Sequence, residues 1–486
     1  MSLNPGALGA TTGTSPPGPK SLKIVLFVHG APPELQGGTE LSVWELALGL
    51  AQAGHRVDLI CGSVAWRRGG GVETKAGPEV PGSGSVTVHR LQRGDLYFEH
   101  WHKASSEPVR ARVEALLAEL QPDVAHVHHW LRLTRDLVAT CARAGVPAVV
   151  SLHDHWTSCL LAHRIRDDEE GVCERTMQPG ACVPCAHKHI SPNTPWVEFE
   201  SEALWLVEHR SGLVRELELA RAWMAPSRSH AARVQEWTRL SPPDGGIDVV
   251  PPAVGRLPER LARGAREHGG QLVVLGLGHL APHKGAHLLD AALAAPGAER
   301  IRAHWFGGEV SAEYRKGLSS SGRIEWHGAY GIESLEEALR GLGIDLFVAG
   351  SLAEESYGLV LDEALALGLP ALVPDHGALG ERARQLGGVA TYRAGSAQAL
   401  NRALVDLASH PSKLEALRAA VPERESLLRP VTEVVLRSEA CYRRVIATGA
   451  PQLANLEWFE ARMGLHREQQ WDAGMAAAAP SGGGAS

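Results

Sequence analysis

The sequence lacks the features that would place the chain in a membrane, outside the cell or on nucleic acid. Its first twenty residues contain no apolar core of a signal peptide, and no later apolar run approaches the length of a membrane span. The formal net charge is −7, and no basic stripe is present that could bind a phosphate backbone. We therefore expect a cytoplasmic protein without nucleic acid as a partner. Peripheral contact with a membrane stays open.

The chain is poor in cysteine and in lysine. Seven cysteines, an odd number in a chain without a secretion signal, favour thiols or metal ligands over a disulfide framework. Only 8 of the 48 basic residues are lysines. Because lysine is scarce in this chain, a lysine at a predicted strand-to-helix turn favours a functional role over an ordinary surface position.

The pattern of apolar runs predicts an α/β protein of two domains. At 486 residues the chain is too long for one core of ordinary size. Short aliphatic runs alternate with amphipathic stretches, as in KIVLFVHG, GTELSVWELALGLAQAGH and RVDLICG, and a second such series begins at QLVVLGLG. This alternation is typical of βαβ units. We expect two tandem Rossmann-like, doubly wound parallel-sheet domains that face a cleft.

Composition also suggests where these parts begin and end. Both termini are rich in Gly, Pro, Ala and Ser, and the stretch RLPERLARGAREHGG is polar and reads as a linker between domains. The expected parts are a disordered tail (1–20), an N-terminal domain (21–252) with a cysteine-rich insert (159–190), a linker (253–268), a C-terminal domain (269–430), C-terminal helices that pack back on the N-terminal domain (431–463) and a disordered tail (464–486).

Two acidic residues stand inside an apolar segment of the second domain. The run IDLFVAGS predicts a buried strand, LAEESYG its loop, and GLVLDEALAL a helix that contains Asp362 and Glu363. An ionised carboxylate is costly to bury unless hydrogen-bond donors meet it. Glu363 is expected to face a ligand's hydroxyl groups, although an ion-paired glutamate on a partly exposed helix fits the segment equally well.

Other groups suited to phosphate lie at the carboxyl ends of predicted strands, where ligands of open parallel sheets bind. The amides of Gly358, Leu359 and Val360 open the helix of Glu363 and would be donors at its positive end. In GLGHLAPHKGAHLLDAA, Lys284 stands between a strand and a helix, where its ammonium could neutralise a phosphate. A surface lysine is the alternative for Lys284 taken alone.

The first domain offers two further candidates at strand ends. Gly37 and Gly38 open a helix in GGTE and would let the backbone approach a ligand closely, and Thr39 could cap that helix. His153 ends the predicted strand PAVVSLH, where it could donate to a reacting sugar or phosphate. A histidine bonded to its own loop is the alternative.

Taken together, these segments resemble retaining glycosyltransferases of the GT-B architecture, in particular glycosyltransferase family 4, over about residues 23 to 445. The most specific element is the glutamate pair with its intervening Tyr357 and Gly358. The resemblance implies that Glu355 contacts the donor sugar and that Glu363 binds the ribose hydroxyls of the nucleotide. It also implies diphosphate contacts for Lys284 and the glycine loop, and an active-site role for His153.

The chain departs from the family at one phosphate-binding position. The family usually has an arginine in a G-R-L run, whereas this chain has His279 between Gly278 and Leu280. Because a histidine is mostly neutral at pH 7, diphosphate binding is expected to depend more on Lys284 and on the helix N-terminus. The sequence has no D-x-D run for a divalent ion, and the resemblance implies that catalysis needs none.

A cysteine-rich stretch directly follows His153. Its four cysteines, in SCLLAHRIRDDEEGVCERTMQPGACVPC, end in a C-x-x-C pair and would suit a closed tetrahedral zinc site or an iron–sulfur cluster. Four unliganded thiols are the third interpretation. The candidate ligands are Cys159, Cys173, Cys182 and Cys185.

The sequence thus predicts a retaining glycosyltransferase that takes a nucleotide diphospho-sugar as donor, UDP-sugars among the candidates. The acceptor is an unidentified sugar, a lipid-linked molecule or another small molecule. Two alternatives remain: a non-catalytic protein of the same architecture whose cysteine module mediates interactions, and a sugar-nucleotide epimerase. The feature that keeps the non-catalytic alternative open is His279.

Overall fold

The computed structural model of the protein describes residues 21–166, 171–190, 197–243, 245–261, 270–309, 312–318 and 321–451. Both predicted disordered tails lie outside these ranges, as do residues 262–268 of the predicted linker and 452–463 of the predicted C-terminal helices. No helix in the described ranges is both long enough and apolar enough to cross a membrane.

The first domain is built on an eight-stranded sheet. Its strands are β1 (Lys23–Val28), β2 (Arg56–Gly62), β3 (Gly71–Ala76), β4 (Ser85–Gln92), β5 (Val124–Val127), β6 (Ala148–Ser151), β7 (Ala222–Ala225) and β8 (Asp248–Val249). Their order is β3-β4-β2-β1-β5-β6-β7-β8, and all pairs are parallel except β3 with β4. The helices are α1 (Gly38–Gln52), α2 (Glu107–Leu120), α3 (Leu137–Arg143), α4 (Pro179–His189), α5 (Phe199–Leu219) and α6 (Arg228–Thr238).

The second domain is built on a six-stranded, all-parallel sheet of order β11-β10-β9-β12-β13-β14. Its strands are β9 (Leu272–Leu277), β10 (Ile301–Phe306), β11 (Ile324–Gly328), β12 (Leu346–Val348), β13 (Ala371–Pro374) and β14 (Val389–Tyr392). The helices that follow are α7 (Ala286–Ala294), α8 (Ala312–Lys316), α9 (Leu335–Leu339), α10 (Leu359–Ala366), α11 (Gly377–Ala383), α12 (Ala397–Ser409), α13 (Pro411–Ala419), α14 (Arg424–Leu427) and α15 (Val431–Thr448).

The central strands of each sheet are buried on both faces, as parallel sheets require. Because successive side chains of a strand point to opposite faces, Val25 and Phe27 of β1 enter one core while Ile24 and Leu26 enter the other. The near-continuous apolar runs that predicted strands are the result. The predicted fold class, two Rossmann-like doubly wound domains, is confirmed. The antiparallel edge strand β3 was not foreseen.

Helix α15 packs on the first domain, although it follows the second in the chain. Val435, Tyr442 and Val445 of this helix are buried in the core beneath β1. The Tyr442 hydroxyl lies 2.7 Å from Nδ1 of His126 on β5. The chain therefore crosses between the domains twice. Part of the first crossing, Val254 and Leu257, is buried in the core of the second domain.

Candidate active site

The strand orders place the candidate site at the gap between the domains. In each sheet the order reverses direction at one point, between β1 and β5 in the first domain and between β9 and β12 in the second. Loops diverge at such a switch point and leave a crevice beyond the strands' carboxyl ends, where ligands of doubly wound folds bind. The loops that carry most of the predicted site residues leave the sheets at or beside these two points.

Lys284 and Glu355 meet across the switch point of the second domain. Lys284 ends a short 3-10 turn after β9, and its Nζ lies 2.7 Å from Oε1 of Glu355 in the loop after β12. Ser351 donates its hydroxyl to the same oxygen at 2.8 Å. Burial alone would raise the pKa of Glu355, but Lys284 and Ser351 hold that pKa below its ordinary value. The side chain is therefore an ionised carboxylate.

A glycine makes this meeting possible. Gly285 follows the lysine with a φ of 68°, in the left-handed region that other residues avoid. A Cβ atom at Gly285 would collide with the carbonyl oxygen of Gly350 on the facing loop. The glycine after Lys284 thus lets the two loops approach each other, which the sequence pattern alone did not reveal.

Helix α10 begins at the same crevice, as predicted. Gly358 caps it with a φ of 83°, and the carbonyl oxygen of Gly358 accepts a hydrogen bond from Arg382 at 3.0 Å. The first amides of a helix have no partner within it, so those of Leu359 and Val360 point their donors toward the crevice. The positive end of the helix dipole adds to the attraction for an anion.

The two acidic residues of α10, Asp362 and Glu363, have different partners. These partners explain how an apolar helix accommodates two carboxylates. Asp362 is buried and is ion-paired with Arg382. Glu363 is half-buried and accepts a hydrogen bond from the Tyr330 hydroxyl at 2.7 Å. Burial raises the pKa of Glu363, and the tyrosine offsets this only in part. Asp362 therefore supports the fold, while Glu363 retains the capacity to accept more hydrogen bonds.

Two predicted donor-binding residues lie apart from this group. Tyr357 is buried, with its ring against the guanidinium groups of Arg382 and Arg429 and its hydroxyl 2.7 Å from Arg429. Tyr357 therefore stabilises the loop between β12 and α10. His279 is exposed at the end of β9, beside Gly308. Neither side chain forms a hydrogen bond or ion pair with Lys284 or Glu363.

The glycine loop of the first domain reaches α10 from the other side of the cleft. Gly37 caps α1 in place of the predicted Thr39, and a Cβ at Gly38 would lie 4.0 Å from the Leu359 side chain. The predicted glycine loop and the predicted helix N-terminus therefore face each other. Behind the loop, Glu40 of α1 pairs with Nε2 of His29 at 2.9 Å.

His153 is partly buried and lies at the end of a line of histidines in the first domain. Its Nε2 lies 2.8 Å from Nδ1 of His128, whose ring lies against that of His126 with centroids 3.9 Å apart. The alternative of a histidine bonded to its own loop is wrong for this ring nitrogen. Burial lowers the pKa of His153 to about 4, so the ring is neutral at pH 7. A neutral imidazole bonded at Nε2 has its other ring nitrogen left for a ligand.

Comparison with known proteins supplies the family. The family model of Glycosyltransferase Family 4 matches residues 36–255, and that of Glycosyl transferases group 1 matches residues 271–410. The two matches coincide with the two domains and together span most of the chain. The chain is a family 4-like glycosyltransferase of the GT-B architecture. No curated protein sequence matches it.

Solved structures of similar fold have low sequence identity to this chain. Sucrose-phosphate synthase from Thermosynechococcus elongatus has 17% identity and a TM-score of 0.59, over 88% of this chain and 100% of that one. The catalytic domain of starch synthase IV from Arabidopsis thaliana, bound to ADP and acarbose, has 15% identity and a TM-score of 0.56, over 88% and 100%. HepE from Anabaena, in complex with UDP and glucose, has 16% identity and a TM-score of 0.54, over 87% and 99%. At these identities the likeness concerns the fold.

The two domains of the glycosyltransferase are joined by a partly buried ion pair beside the candidate site. Nε and Nη2 of Arg233 on α6 bind the Glu354 carboxylate at 2.8 to 2.9 Å. The backbone oxygen of Glu354 lies 3.0 Å from Nε2 of His155. Glu354 directly precedes Glu355, so the domain contact and the predicted sugar-binding carboxylate are one residue apart.

Breaking this contact should favour an open cleft. Arg233→Met should lower the free energy of unfolding in urea by about 1.5 kcal/mol, the lower range for a hydrogen bond to a charged group, because Glu354 regains water when the cleft opens. Small-angle X-ray scattering should show a larger radius of gyration. The control is Arg256→Met, which removes an ion pair to Glu333 that is about three-quarters exposed. Equal effects of the two variants would contradict a clamping role.

The cysteine-rich insert of the glycosyltransferase forms one wall of the cleft. An antiparallel bridge between Ile165 and Val172 closes a hairpin that brings Cys173 back toward Cys159. Cys182 and Cys185 lie three residues apart on α4 and therefore share a face. Burial raises the pKa of Cys182, and the nearby thiols of Cys159 and Cys173 raise it further. Within the described residues, no three of the four sulfurs lie within 4.8 Å of one another.

A histidine pair connects this insert to the segment of the second domain that carries Lys284. His163 of the insert stacks on His283, with ring centroids 3.8 Å apart and planes inclined by 15°. Burial lowers the pKa of His163 to about 4 and that of His283 to about 2, so both rings are neutral at pH 7 and can stack. His283 directly precedes Lys284. Sequence reasoning missed this pair, since the two residues are 120 positions apart and neither belongs to a motif.

Proposed function

We propose that this glycosyltransferase takes a nucleotide diphospho-sugar as donor and retains the configuration at the anomeric carbon. The second domain would hold the donor and the first the acceptor, a sugar, a lipid-linked molecule or another small molecule. The observation that carries the proposal is the convergence of Lys284, Glu355 and the start of α10 at one switch point, with Glu363 one turn further along the helix.

The spacing of these groups suits the parts of such a donor in order. Glu363, with one donor from Tyr330 and capacity for others, would accept from both hydroxyls of a ribose. The amides that open α10 and the ammonium of Lys284 would face the diphosphate. Glu355 would then lie at the sugar. In the free protein the Lys284 ammonium is bound to Glu355. When the donor binds, this ammonium would interact with the diphosphate as well as with Glu355.

Two structural relatives support a nucleotide at this site. HepE from Anabaena was solved with UDP and glucose, and starch synthase IV from Arabidopsis thaliana with ADP and acarbose. We extend the nucleotide class to this chain because the start of α10 and Lys284 offer hydrogen-bond donors and a positive charge to a diphosphate.

The chemistry proposed for the site separates a sugar from its diphosphate. As that bond breaks, negative charge grows on the diphosphate, and Lys284 and the amides of Gly358 and Leu359 would stabilise it from fixed positions. The leaving diphosphate would assist deprotonation of the acceptor on the same face, which gives retention. Neutral His153 would donate a hydrogen bond to the sugar from the first domain. We propose that no divalent ion is needed at this centre.

The proposal is tested with a panel of UDP-, GDP- and ADP-sugars. One donor should raise the unfolding temperature most, since a ligand that binds the folded state stabilises it by mass action, and that donor should release nucleoside diphosphate slowly even without an acceptor. At enzyme concentrations high enough for release to outpace mutarotation, proton NMR of the freed sugar should show the donor's anomeric configuration. Added Mg²⁺ should not stimulate release.

Each alternative gives a different result. A non-catalytic protein would release no nucleotide from any donor. An epimerase would change the sugar's ring configuration. Inverted sugar would refute retention while leaving the donor class intact.

We also propose that the four cysteines of the insert bind one zinc ion. Four thiolates form the common closed structural site, and zinc binding would require Cys159 and Cys173 to move toward the pair on α4. Such an ion would hold the insert, with His163, against His283 and the segment that carries Lys284. An iron–sulfur cluster takes the same ligands, so the metal itself must be measured.

Metal analysis of protein prepared without chelator should therefore find about one zinc per chain from this site. Cys182→Ser should release it and lower the unfolding temperature, because metal binding contributes to folding. Cys441→Ser, at a buried cysteine outside the insert, is the control and should keep the ion. Protein with neither zinc nor iron would refute the site, and iron with acid-labile sulfide would replace zinc by a cluster.

A further inference from the structure

Three side chains of types that bind metals converge on the edge of the second sheet, and none of them is a predicted site residue. His304 lies on β10, and Glu325 and His327 lie on the edge strand β11. His304 is in register with Glu325, so these two side chains share a face of the sheet. His327 joins them, since its Nε2 lies close to Nδ1 of His304.

An irregularity in the strand pairing places His327. Trp305 pairs with Trp326, but the next residue, Phe306, pairs with Gly328, so His327 is passed over in the register. Such bulges re-aim a side chain. The His327 ring then lies flat on Phe306, with centroids 4.2 Å apart and planes inclined by 4°. This stacking fixes the direction in which Nε2 points.

The ligand atoms have the spacing of three corners of a metal site. Nδ1 of His304 and Nε2 of His327 are 2.9 Å apart, and Glu325 oxygens lie 3.5 Å from the first nitrogen and 3.8 Å from the second. A tetrahedral zinc with bonds of 2.0 to 2.1 Å sets neighbouring ligand atoms roughly 3.3 Å apart. Among the described residues, no other set of three or more such atoms lies within 4.8 Å.

We propose that His304, Glu325 and His327 bind a divalent transition-metal ion, with Zn²⁺ the best match. Two imidazoles and one carboxylate suit zinc and its neighbours, whereas magnesium and calcium prefer oxygen ligands. The Glu325 side chain is 66% exposed and the histidines are 14% and 20% exposed, so water can occupy the fourth position.

The ion would join the edge strand to the rest of the sheet. Strand β11 pairs with β10 alone, so its outer side has no backbone partner within the described residues. Ligands from both strands would link them at a point where the register is irregular. Strand β11 leads through Gly328 to Tyr330, which donates to Glu363. The metal would therefore steady the loop that positions Glu363, although the site does not depend on the proposed function.

A hydrogen-bonded histidine pair without an ion is the competing explanation. At 2.9 Å, one ring can donate to the other if both are neutral. Burial lowers the pKa of His304, which keeps that ring neutral and equally available to a metal. The two explanations differ in what zinc does to the protein, and this can be measured.

The test uses the full chain with its purification tag removed, stripped of metal with a chelator. To leave the thiolates out, the background is Cys182→Ser with Cys185→Ser. Calorimetric titration with Zn²⁺ should show one equivalent bound and a higher unfolding temperature. Adding His304→Gln or His327→Gln to this background should weaken binding at least tenfold, because each removes a ligand. Adding His410→Gln, at an exposed histidine beside Asp406, should change nothing.

A second measurement covers the case in which the cysteine background does not fold. Intact chain loaded with Co²⁺ should show visible bands of nitrogen and oxygen ligation that His327→Gln abolishes, in addition to any intense thiolate charge-transfer band from the insert. Titration without heat or stabilisation in the background, or binding that neither histidine variant weakens, would overturn the proposal in favour of the hydrogen-bonded pair.

Discussion

Lys284→Met is expected to weaken nucleoside diphosphate binding by about 2 to 3 kcal/mol, the scale of a charge-assisted hydrogen bond. Turnover of the sugar donor should fall on the order of 10² to 10³-fold, as when one fixed donor to a developing negative charge is removed. Methionine keeps the length and apolar stem of the side chain and removes the charge. Calorimetry with the nucleoside diphosphate and assays of its release measure the two effects.

Two further variants isolate the role of Lys284. Lys413→Met removes an exposed lysine paired with Asp406 in the same domain and should affect neither measurement. Glu355→Gln removes the partner of Lys284 but keeps its shape. It should lower turnover without weakening nucleoside diphosphate binding, because the ammonium no longer divides its charge between Glu355 and phosphate. Unchanged binding in Lys284→Met would move the phosphate site elsewhere.

Glu363→Ala is expected to separate two ligands that differ only in their ribose. Binding of the nucleoside diphosphate should weaken by roughly 1.5 to 3 kcal/mol, the range for a hydrogen bond to a charged group. Binding of the 2′,3′-dideoxy analogue should change little, because that ligand lacks the hydroxyls Glu363 would accept. Calorimetry on both ligands decides between a ribose contact and a supporting role. Equal weakening of both would assign Glu363 to the fold.

The same comparison predicts a pH dependence. Glu363 must be ionised to accept from both hydroxyls, and burial raises its pKa in the free protein. The difference in binding free energy between the ribose and dideoxyribose ligands should therefore be complete at high pH and disappear as the pH falls through this raised pKa. For an exposed glutamate the loss would occur at a lower pH. Phosphate titration affects both ligands alike and cancels. Glu363→Gln should remove the dependence, and a pH-independent difference in the unmodified protein would contradict it.

Asp362, the residue before Glu363 on α10, provides the control variant. Asp362→Asn should leave the difference between the two ligands intact, because Asp362 faces Arg382 and not the crevice. It should instead lower the free energy of unfolding, since it leaves the buried guanidinium of Arg382 without its ion-pair partner. A ligand-specific effect of Asp362→Asn would reverse the roles of the two acids.

Whether a feature of the structure could be predicted from the sequence depends on how far apart the interacting residues are along the chain. The strands, the helix that begins after Gly358 and the crevice followed from local periodicity and turn residues, because these depend on neighbours in the chain. The partners of the buried acids did not follow. Tyr330 is 33 positions from Glu363, and no local pattern marks it as a donor.

Contacts between the domains were beyond the sequence for the same reason. Arg233 is 121 positions from Glu354, and His155 is 199 from it. Each of these side chains has an ordinary local setting, an exposed helix face or a loop, and acquires its partner only when the domains meet. Similarly, the pattern around β11 did not show the bulge that aligns His327 with His304.

The return of α15 to the first domain has a consequence for the order in which the protein is made. Tyr442 is fully buried there and its hydroxyl reaches His126, more than 300 positions earlier. During synthesis the first domain therefore emerges from the ribosome without the helix that completes its core, and it must wait until the whole second domain has been translated. At about 5 to 20 residues per second this delay lasts roughly 10 seconds or more. Until then the apolar surface that will receive Val435 and Val445 is open to chaperones.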